Sequence, residues 1–261
     1  MQKKIQFTYQ NKTYQADCKT AIDISMPLKA GEETVNCYYA NAVEYQTIAV
    51  GDFVGAVNLG GSCNYQRISF TPHGNGTHTE CYGHITADGA TINECLKEFL
   101  FFALLISVPV EILENGDSII SLENIKKLVH TKDIESLIIR TIPNEISKLT
   151  HQYSGTNPTY LLPEVCQYLK ELGIKHLLID LPSVDKEWDN GVLQSHRNFW
   201  NLPPRYATIN MSEVRKDCTI TELIFVPATV ADGLYLLNLQ IVSFESDASP
   251  SKPILYPLSV L

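Results

Sequence analysis

The sequence has no long hydrophobic run, no cluster of basic residues and no cysteine pair with zinc-ligand spacing. Its longest apolar run, residues 99–110, is too short to span a bilayer. The 20 basic residues are scattered among 29 acidic ones, giving a net charge of −9. A basic patch is the electrostatic mark of a nucleic-acid-binding protein. We therefore expect neither a nucleic-acid partner nor a membrane partner.

Cysteines are few and unpaired in spacing. The seven cysteines are an odd number, and no two are arranged as C-x-x-C. A disulfide framework is therefore not expected. The first residues carry lysines but no apolar stretch, so no signal peptide is predicted. With 44% hydrophobic and 19% charged residues, the composition is that of a globular chain, and we expect a cytoplasmic protein.

No repeat or low-complexity linker divides the chain, so residues 1–261 are predicted to form a single domain. Helical spacing predicts a helix over 93–105, and Pro163 with Gly173 marks the start and end of another. Strands outnumber helices, which predicts a mixed, β-rich α/β fold. The expected strands cover 2–15 (with a hairpin turn), 21–28, 45–58, 63–72, 134–141, 175–180, 218–226 and 234–244.

The clearest chemical signal is a histidine cluster. Three of the seven histidines, His73, His78 and His84, fall within residues 73–84. If residues 78–80 are extended, His78 and Glu80 project from the same face, because side chains alternate along a strand. Zinc or manganese accepts such nitrogen and oxygen ligands. The alternative is a polar loop whose histidines cap turns, and spacing alone leaves both interpretations open.

Other candidates are weaker. Cys81 lies within the histidine cluster and offers a Cys-His nucleophile, although a small buried packing residue is the more common role of such a thiol. Phe199 and Trp200 either line a pocket or fill the core. Three histidines stand alone and are expected at the surface or in the core: His130, His151 and His176.

Residues 76–84, G-T-H-T-E-C-Y-G-H, resemble the signature H-x-G-T-H-x-D-x-P-x-H. This is the signature of the cyclase family of metal-dependent hydrolases, which includes kynurenine formamidase and isatin hydrolase. The resemblance implies a single domain around a barrel-like mixed sheet with flanking helices. It also implies assembly into homo-oligomers, as dimers or tetramers. Three further segments resemble the family in the same order: 22–28, 163–185 and 219–223.

The resemblance also implies a site. One or two divalent ions, Zn²⁺ or Mn²⁺, would be held by five residues, with Glu80 bridging. His84 would act as general base or acid without coordinating. The implied metal ligands are His73, His78, Glu80, His196 and Glu222.

Three positions depart from the family pattern. Glu80 replaces an Asp and is one methylene longer. Tyr82 replaces a Pro and is expected to add a phenol to the pocket. The first family histidine should stand at Gly74, but His73 lies one residue earlier. Because a one-residue slip in a strand reverses the side chain, we expect a bulge at Gly74-Asn75 to return His73 to the ligand face.

These features predict a metal-dependent hydrolase of a C–N amide bond in a small-molecule substrate, similar to an arylformamidase. Metal-activated water and His84 as base would carry the reaction. One alternative is a cyclase, or a hydrolase of a lactone or cyclic amide. Another is a non-catalytic member of the fold that binds a small molecule or a metal.

Overall fold

The computed structural model describes residues 3–129 and 133–261. In these residues it contains seventeen β-strands and four α-helices. No helix in the described ranges has both the length and the apolar character needed to cross a membrane. The helices are α1 (Ile92–Cys95), α2 (Leu122–Leu128), α3 (Pro163–Leu172) and α4 (Gln194–Trp200). The strands are β1 (Lys4–Tyr9), β2 (Lys12–Asp17), β3 (Ile22–Asp23), β4 (Glu44–Thr47), β5 (Ala49–Val50), β6 (Phe53–Val54), β7 (Gln66–Ser69), β8 (His78–Glu80), β9 (Leu100–Pro109), β10 (Glu111–Ile112), β11 (Ser118–Ile120), β12 (Ser136–Ile142), β13 (Tyr160–Leu161), β14 (His176–Ile179), β15 (Thr219–Glu222), β16 (Gly233–Ile241) and β17 (Ala248–Val260).

Seven of the described strands form a closed barrel. Their order is β17-β16-β9-β12-β14-β15-β8, and β8 pairs with β17 to close the sheet. The pairs β9–β12, β12–β14 and β14–β15 are parallel, and the other pairs are antiparallel. The hairpin β1–β2 extends the sheet from β17. The predicted fold class, a mixed and β-rich α/β fold around a barrel-like sheet, is confirmed.

Alternating side chains of the barrel strands pack in two different clusters. Leu137 and Ile139 of β12 belong to a cluster that also contains Val165 and Leu169 of α3. Ile138, between them, belongs to a second cluster built mainly from residues of the other barrel strands. This alternation follows from the two-residue period of a strand, so one face meets the helices and the other fills the barrel.

Two local predictions are confirmed. The helix α3 has Pro163 in its first turn, and it ends at Gly173, whose φ of 83° is left-handed. A residue without a Cβ adopts that conformation at little cost. The first hairpin turns at Gln10 and Asn11, which both have positive φ. The aromatic pair Phe199 and Trp200 is fully buried and belongs to the core.

Other predicted elements are wrong. Instead of a helix over 93–105, the chain forms the four-residue α1 and then β9, whose residues are buried on both faces and therefore show no alternation. The strand expected over 21–28 is reduced to Ile22–Asp23, and the region 45–58 is divided into short strands. The long strand β17 was not predicted, because prolines 250, 253 and 257 are unusual inside a strand. His130 lies outside the described residues, and the single domain stays a prediction.

Candidate metal centre

Five separate segments bring the predicted site residues together. In the antiparallel pair β8–β15, His78 faces Glu222 and Glu80 faces Ile220. His196 lies on α4. His73 lies in the turn before β8, and His84 in the 3₁₀ segment Tyr82–Ile85 after it. The barrel thus supplies two rigid strands, and the connections beside them supply the remaining side chains.

His78 and Glu80 present free donor atoms to the interior. The Nδ1 atom of His78 lies 3.0 Å from the carbonyl oxygen of Gly76. A carbonyl only accepts, so Nδ1 carries the proton and Nε2 keeps its lone pair. That Nε2 lies 3.5 Å from Glu222 Oε2. His78 Nε2 and Glu80 Oε2 are buried without a hydrogen-bond partner in the described residues, which is costly unless something binds them.

His196 lies between carboxylates. Its Nδ1 is 2.6 Å from Asp185 Oδ2, and its Nε2 is 3.0 Å from Glu80 Oε1 and 3.8 Å from Glu222 Oε1. Burial alone would lower the pKa of His196, but the hydrogen bonds to Asp185 and Glu80 raise it well above the ordinary value. Burial likewise opposes ionisation of Glu80, yet the surrounding histidines hold the pKa of this carboxyl well below its usual range.

His73 faces the cluster, as predicted, but by a different route. Its Nδ1 lies 3.2 Å from Glu80 Oε2. The expected strand bulge is absent from this described segment; residues 71–75 form a turn in which Gly74 N and Asn75 N both donate to the carbonyl of Thr71. A turn breaks the alternation of a strand, so the one-residue shift does not send the side chain away.

His84 also faces the cluster. Its Nδ1 lies 3.1 Å from Asp247 Oδ2 and 3.8 Å from Glu80 Oε2. The same Asp247 oxygen lies 2.8 Å from His73 Nε2. Burial would lower the pKa of His73, but the hydrogen bond to Asp247 and the charge of Glu80 raise it to about 10.

A cavity of about 280 Å³ opens onto the cluster, and His73, His84, His196 and Glu222 line it. The phenol in its lining is that of Tyr38. The prediction that Tyr82 adds a phenol here is wrong: Tyr82 lines a different cavity, because the strand ends at Glu80 and the 3₁₀ turn directs the tyrosine elsewhere.

Three residues of the site were missed. Asp185 ends a segment that resembles the family, which was a usable signal for it. Asp247 and Tyr38 carried no such signal in the sequence. Tyr38 has a φ of 55°, a backbone conformation that residues other than glycine rarely adopt. Tyr38 as a whole is 41% exposed, but it lines the cavity, and burial at its hydroxyl end, followed by the charge of Glu222, raises the pKa of the phenol well above its ordinary value.

The weaker candidates do not join the cluster. Cys81 is buried, and its Sγ lies 3.8 Å from the carbonyl of Ala90. A hydrogen bond with Cys95 and burial raise its pKa, which disfavours the thiolate. His176 is buried in another region, and His151 is exposed.

The donor set fits a divalent metal. One donor atom each from His73, His78 and Glu80 lies within 4.8 Å of the others, and the same holds for Glu80, His84 and His196. Imidazole nitrogen and carboxylate oxygen are ligands that zinc and manganese accept. The unpartnered atoms of His78 and Glu80 point to the same conclusion, since a metal would satisfy them.

Comparison with known families agrees with this geometry. The family model described as "Putative cyclase" matches residues 22–186, more than half of the chain. The chain belongs to the cyclase family. The predicted family is therefore confirmed. The match includes the histidine cluster but ends before His196, Glu222 and Asp247, so those residues rest on the geometry of this cyclase-family protein.

Individual relatives extend the likeness over nearly the whole chain. Kynurenine formamidase of Bacillus anthracis is 22% identical over 245 residues, covering 91% of this chain and 97% of the relative. A solved structure described as a potential metal-dependent hydrolase with cyclase activity has a TM-score of 0.63 at 17% identity, covering 91% of this chain and 97% of its own. An isatin hydrolase bound to the product analogue thioisatinate has a TM-score of 0.62 at 13% identity, covering 92% and 93%. These structures show a shared fold.

Proposed function

We propose that this protein is a metal-dependent hydrolase that cleaves a C–N amide bond in a small molecule, in the manner of an arylformamidase. The observation that carries the proposal is the pair of buried, unpartnered donor atoms, His78 Nε2 and Glu80 Oε2, beside a cavity of about 280 Å³. Hydrolases among the relatives support it: kynurenine formamidase matches in sequence and isatin hydrolase in fold.

The metal ligands in this proposal are drawn from both sides of Glu80. His73 Nδ1 lies beside one Glu80 oxygen, Oε2, and His196 Nε2 lies beside the other, Oε1. Glu222 lies between two of the histidines, with Oε2 3.5 Å from His78 Nε2 and Oε1 3.8 Å from His196 Nε2. Zn²⁺ or Mn²⁺, as one ion or two, is the expected occupant. A bound divalent ion would polarise a carbonyl and acidify water.

His84 moves the proton. Its side chain is 29% exposed and lines the cavity, so water and substrate both reach it. As a base it takes a proton from water, and as an acid it gives one to the leaving nitrogen. An imidazole suits both steps, because its ordinary pKa lies near neutral pH.

The cavity favours a small, uncharged substrate. Among the described residues, Lys186 is the one lysine or arginine that lines it. The Nζ atom of Lys186 lies 2.7 Å from each carboxylate oxygen of Asp117, so this cation is already paired. An N-formyl aryl amine without a carboxylate is therefore a better candidate than an anionic one. The predicted dimer or tetramer and the cytoplasmic location stay predictions.

Metal analysis combined with a substrate panel tests the proposal. The protein, loaded with Zn²⁺ or Mn²⁺, is assayed on an N-formyl aryl amine, a lactone and a cyclic amide. We expect at least one ion per chain and turnover of the formyl amide, both lost in Glu80→Gln and both kept in the exposed control His151→Ala. Turnover of the lactone or cyclic amide alone would replace the substrate class, and less than one ion per chain with no turnover would indicate a binding protein.

A further inference from the structure

One carboxylate oxygen contacts two histidines of the site. Asp247 lies in the connection before β17, and its Oδ2 is 2.8 Å from His73 Nε2 and 3.1 Å from His84 Nδ1. The aspartate is itself held in place. Its Oδ1 accepts from Ser246 Oγ at 3.1 Å, and its carbonyl accepts from the backbone N–H of Cys81 at 3.0 Å. The carboxylate is therefore fixed beside Glu80, the residue before Cys81.

The contact with Asp247 determines which nitrogen of His84 is available. An ionised carboxylate only accepts hydrogen bonds, so His84 Nδ1 donates to Asp247. The remaining nitrogen, Nε2, is then the atom that can accept a proton from water. Without this partner, His84 would populate two tautomers and two ring orientations. Only one of these combinations serves as the base.

The same contact explains how the displaced His73 reaches the cluster. Because His73 Nε2 donates to Asp247, Nδ1 is the nitrogen directed at Glu80 Oε2, 3.2 Å away. His78 is arranged in the opposite sense: its Nδ1 donates to Gly76 and its Nε2 faces the interior. The two histidines thus offer different ring nitrogens to the same cluster. Asp247 orients His73, which lies one residue earlier than the first histidine of the family pattern.

We propose that Asp247 is a positioning residue for both halves of the site: it orients His84 as the base through Nδ1 and His73 as a metal ligand through Nε2. This inference rests on the proposed function. Partners of this kind, placed behind a ligand, typically change metal affinity or activity by about 10–100-fold when removed.

Asp247→Asn tests the inference, since Asn keeps the shape but loses the charge and replaces one carboxylate oxygen with an NH2 group that cannot accept a hydrogen bond. The matched control is Glu245→Gln, which removes a carboxylate two residues away that bonds Thr91 and Asn93 instead. We expect Asp247→Asn to lower kcat by about 10–100-fold with KM unchanged, and to weaken Zn²⁺ binding by a similar factor. Glu245→Gln should match the wild type in both.

Double variants separate orientation from general damage. If Asp247 acts on turnover through His84, then adding Asp247→Asn to His84→Ala should leave kcat where His84→Ala alone puts it. If Asp247 acts on the metal through His73, then adding Asp247→Asn to His73→Ala should likewise leave the Zn²⁺ affinity unchanged. An equal loss in every background, or the loss of one whole equivalent of Zn²⁺ at saturation, would overturn the positioning role. A wild-type protein that binds neither Zn²⁺ nor Mn²⁺ would instead overturn the proposed function.

Discussion

Two buried histidines, His176 and His196, lie beside two different cavities, and their surroundings differ completely. His196 lies between the carboxylates of Asp185 and Glu80, which raise its pKa. His176 has Thr219 Oγ1 at 2.9 Å from its Nδ1, and burial together with the charge of Lys175 lowers its pKa to about 3. The cavity at His176 is the larger, about 400 Å³ against about 280 Å³. Size therefore does not distinguish the site.

What distinguishes the site is the number of donors that converge. The larger cavity contains one imidazole, and within the described residues no carboxylate hydrogen-bonds to it. The smaller one is lined by three histidines, and a fourth lies behind them. Burying a charged group is costly unless opposite charges and hydrogen bonds compensate, so such clustering is expected where a ligand makes use of it.

The largest effect should come from Glu80→Gln. This variant removes the carboxylate that lies near all four histidines of the site, which is the feature that distinguishes the site from the cavity at His176. Gln keeps the shape but has only one oxygen and no charge. We expect less than one metal ion per chain and a loss of turnover of at least about 10⁴-fold, the upper end of what an acid–base group contributes. Metal analysis and steady-state kinetics measure both, and full metal content would contradict the bridging role.

A smaller loss is expected from His84→Ala. General acid–base groups contribute about 10²–10⁴-fold, so turnover should fall by that factor while the metal is retained. Metal content measured on the same preparation as the kinetics decides between two roles. If the ion is lost together with activity, His84 is a ligand.

A smaller effect again should follow from Asp185→Asn, which makes the environment of His196 more like that of His176. The variant replaces the acceptor that lies 2.6 Å from His196 Nδ1. We expect Zn²⁺ affinity to fall by about 10–100-fold, with the ion still bound at high concentration. A competition titration with a chelator gives the value, and an unchanged affinity would show that helix α4 alone orients His196.

The smallest effect on the site should come from His176→Gln, with metal content and turnover unchanged. Its effect is on acid stability. The pKa of His176 is about 3 in the folded protein and about 6.5 in the unfolded chain, so the unfolded chain binds the proton first as the pH falls. The free energy of unfolding of the wild type therefore decreases as the pH drops from about 6.5 toward 3. The variant lacks this loss, and its relative gain should be about 1.4 kcal/mol per pH unit in that window. If the free energies of unfolding of the wild type and of His176→Gln change with pH in the same way, this prediction is wrong.

The part of the site that sequence could predict is the part that is local. His78 and Glu80 are two residues apart on a strand, so the alternation rule placed them together correctly. The same rule failed at His73, and the family pattern failed at Tyr82, because the strand is only three residues long and a turn lies on either side of it. Local periodicity has no means of describing such turns.

Residues that reach the site from far along the chain were predictable only through the family. His196 and Glu222 came from resemblance, and the structure brings both beside Glu80 and His78. Asp247 is one carboxylate among 29 acidic residues and lies 174 positions from His73. It was out of reach because the strand that follows it, β17, carries prolines that hide the strand pattern. Long-range pairing, here the closure of the barrel by β8 and β17, determines that contact.

Anomalous diffraction from crystals soaked in Zn²⁺ or Mn²⁺ is the most direct test of the proposed metal centre. We expect one or two peaks between His73, His78, Glu80, His196 and Glu222, with zinc distances of about 2.0–2.2 Å to their nitrogen and oxygen atoms. No peak is expected in the larger cavity beside His176. A metal bound at His176, or no metal among these five residues at saturating concentration, would contradict the proposed metal centre.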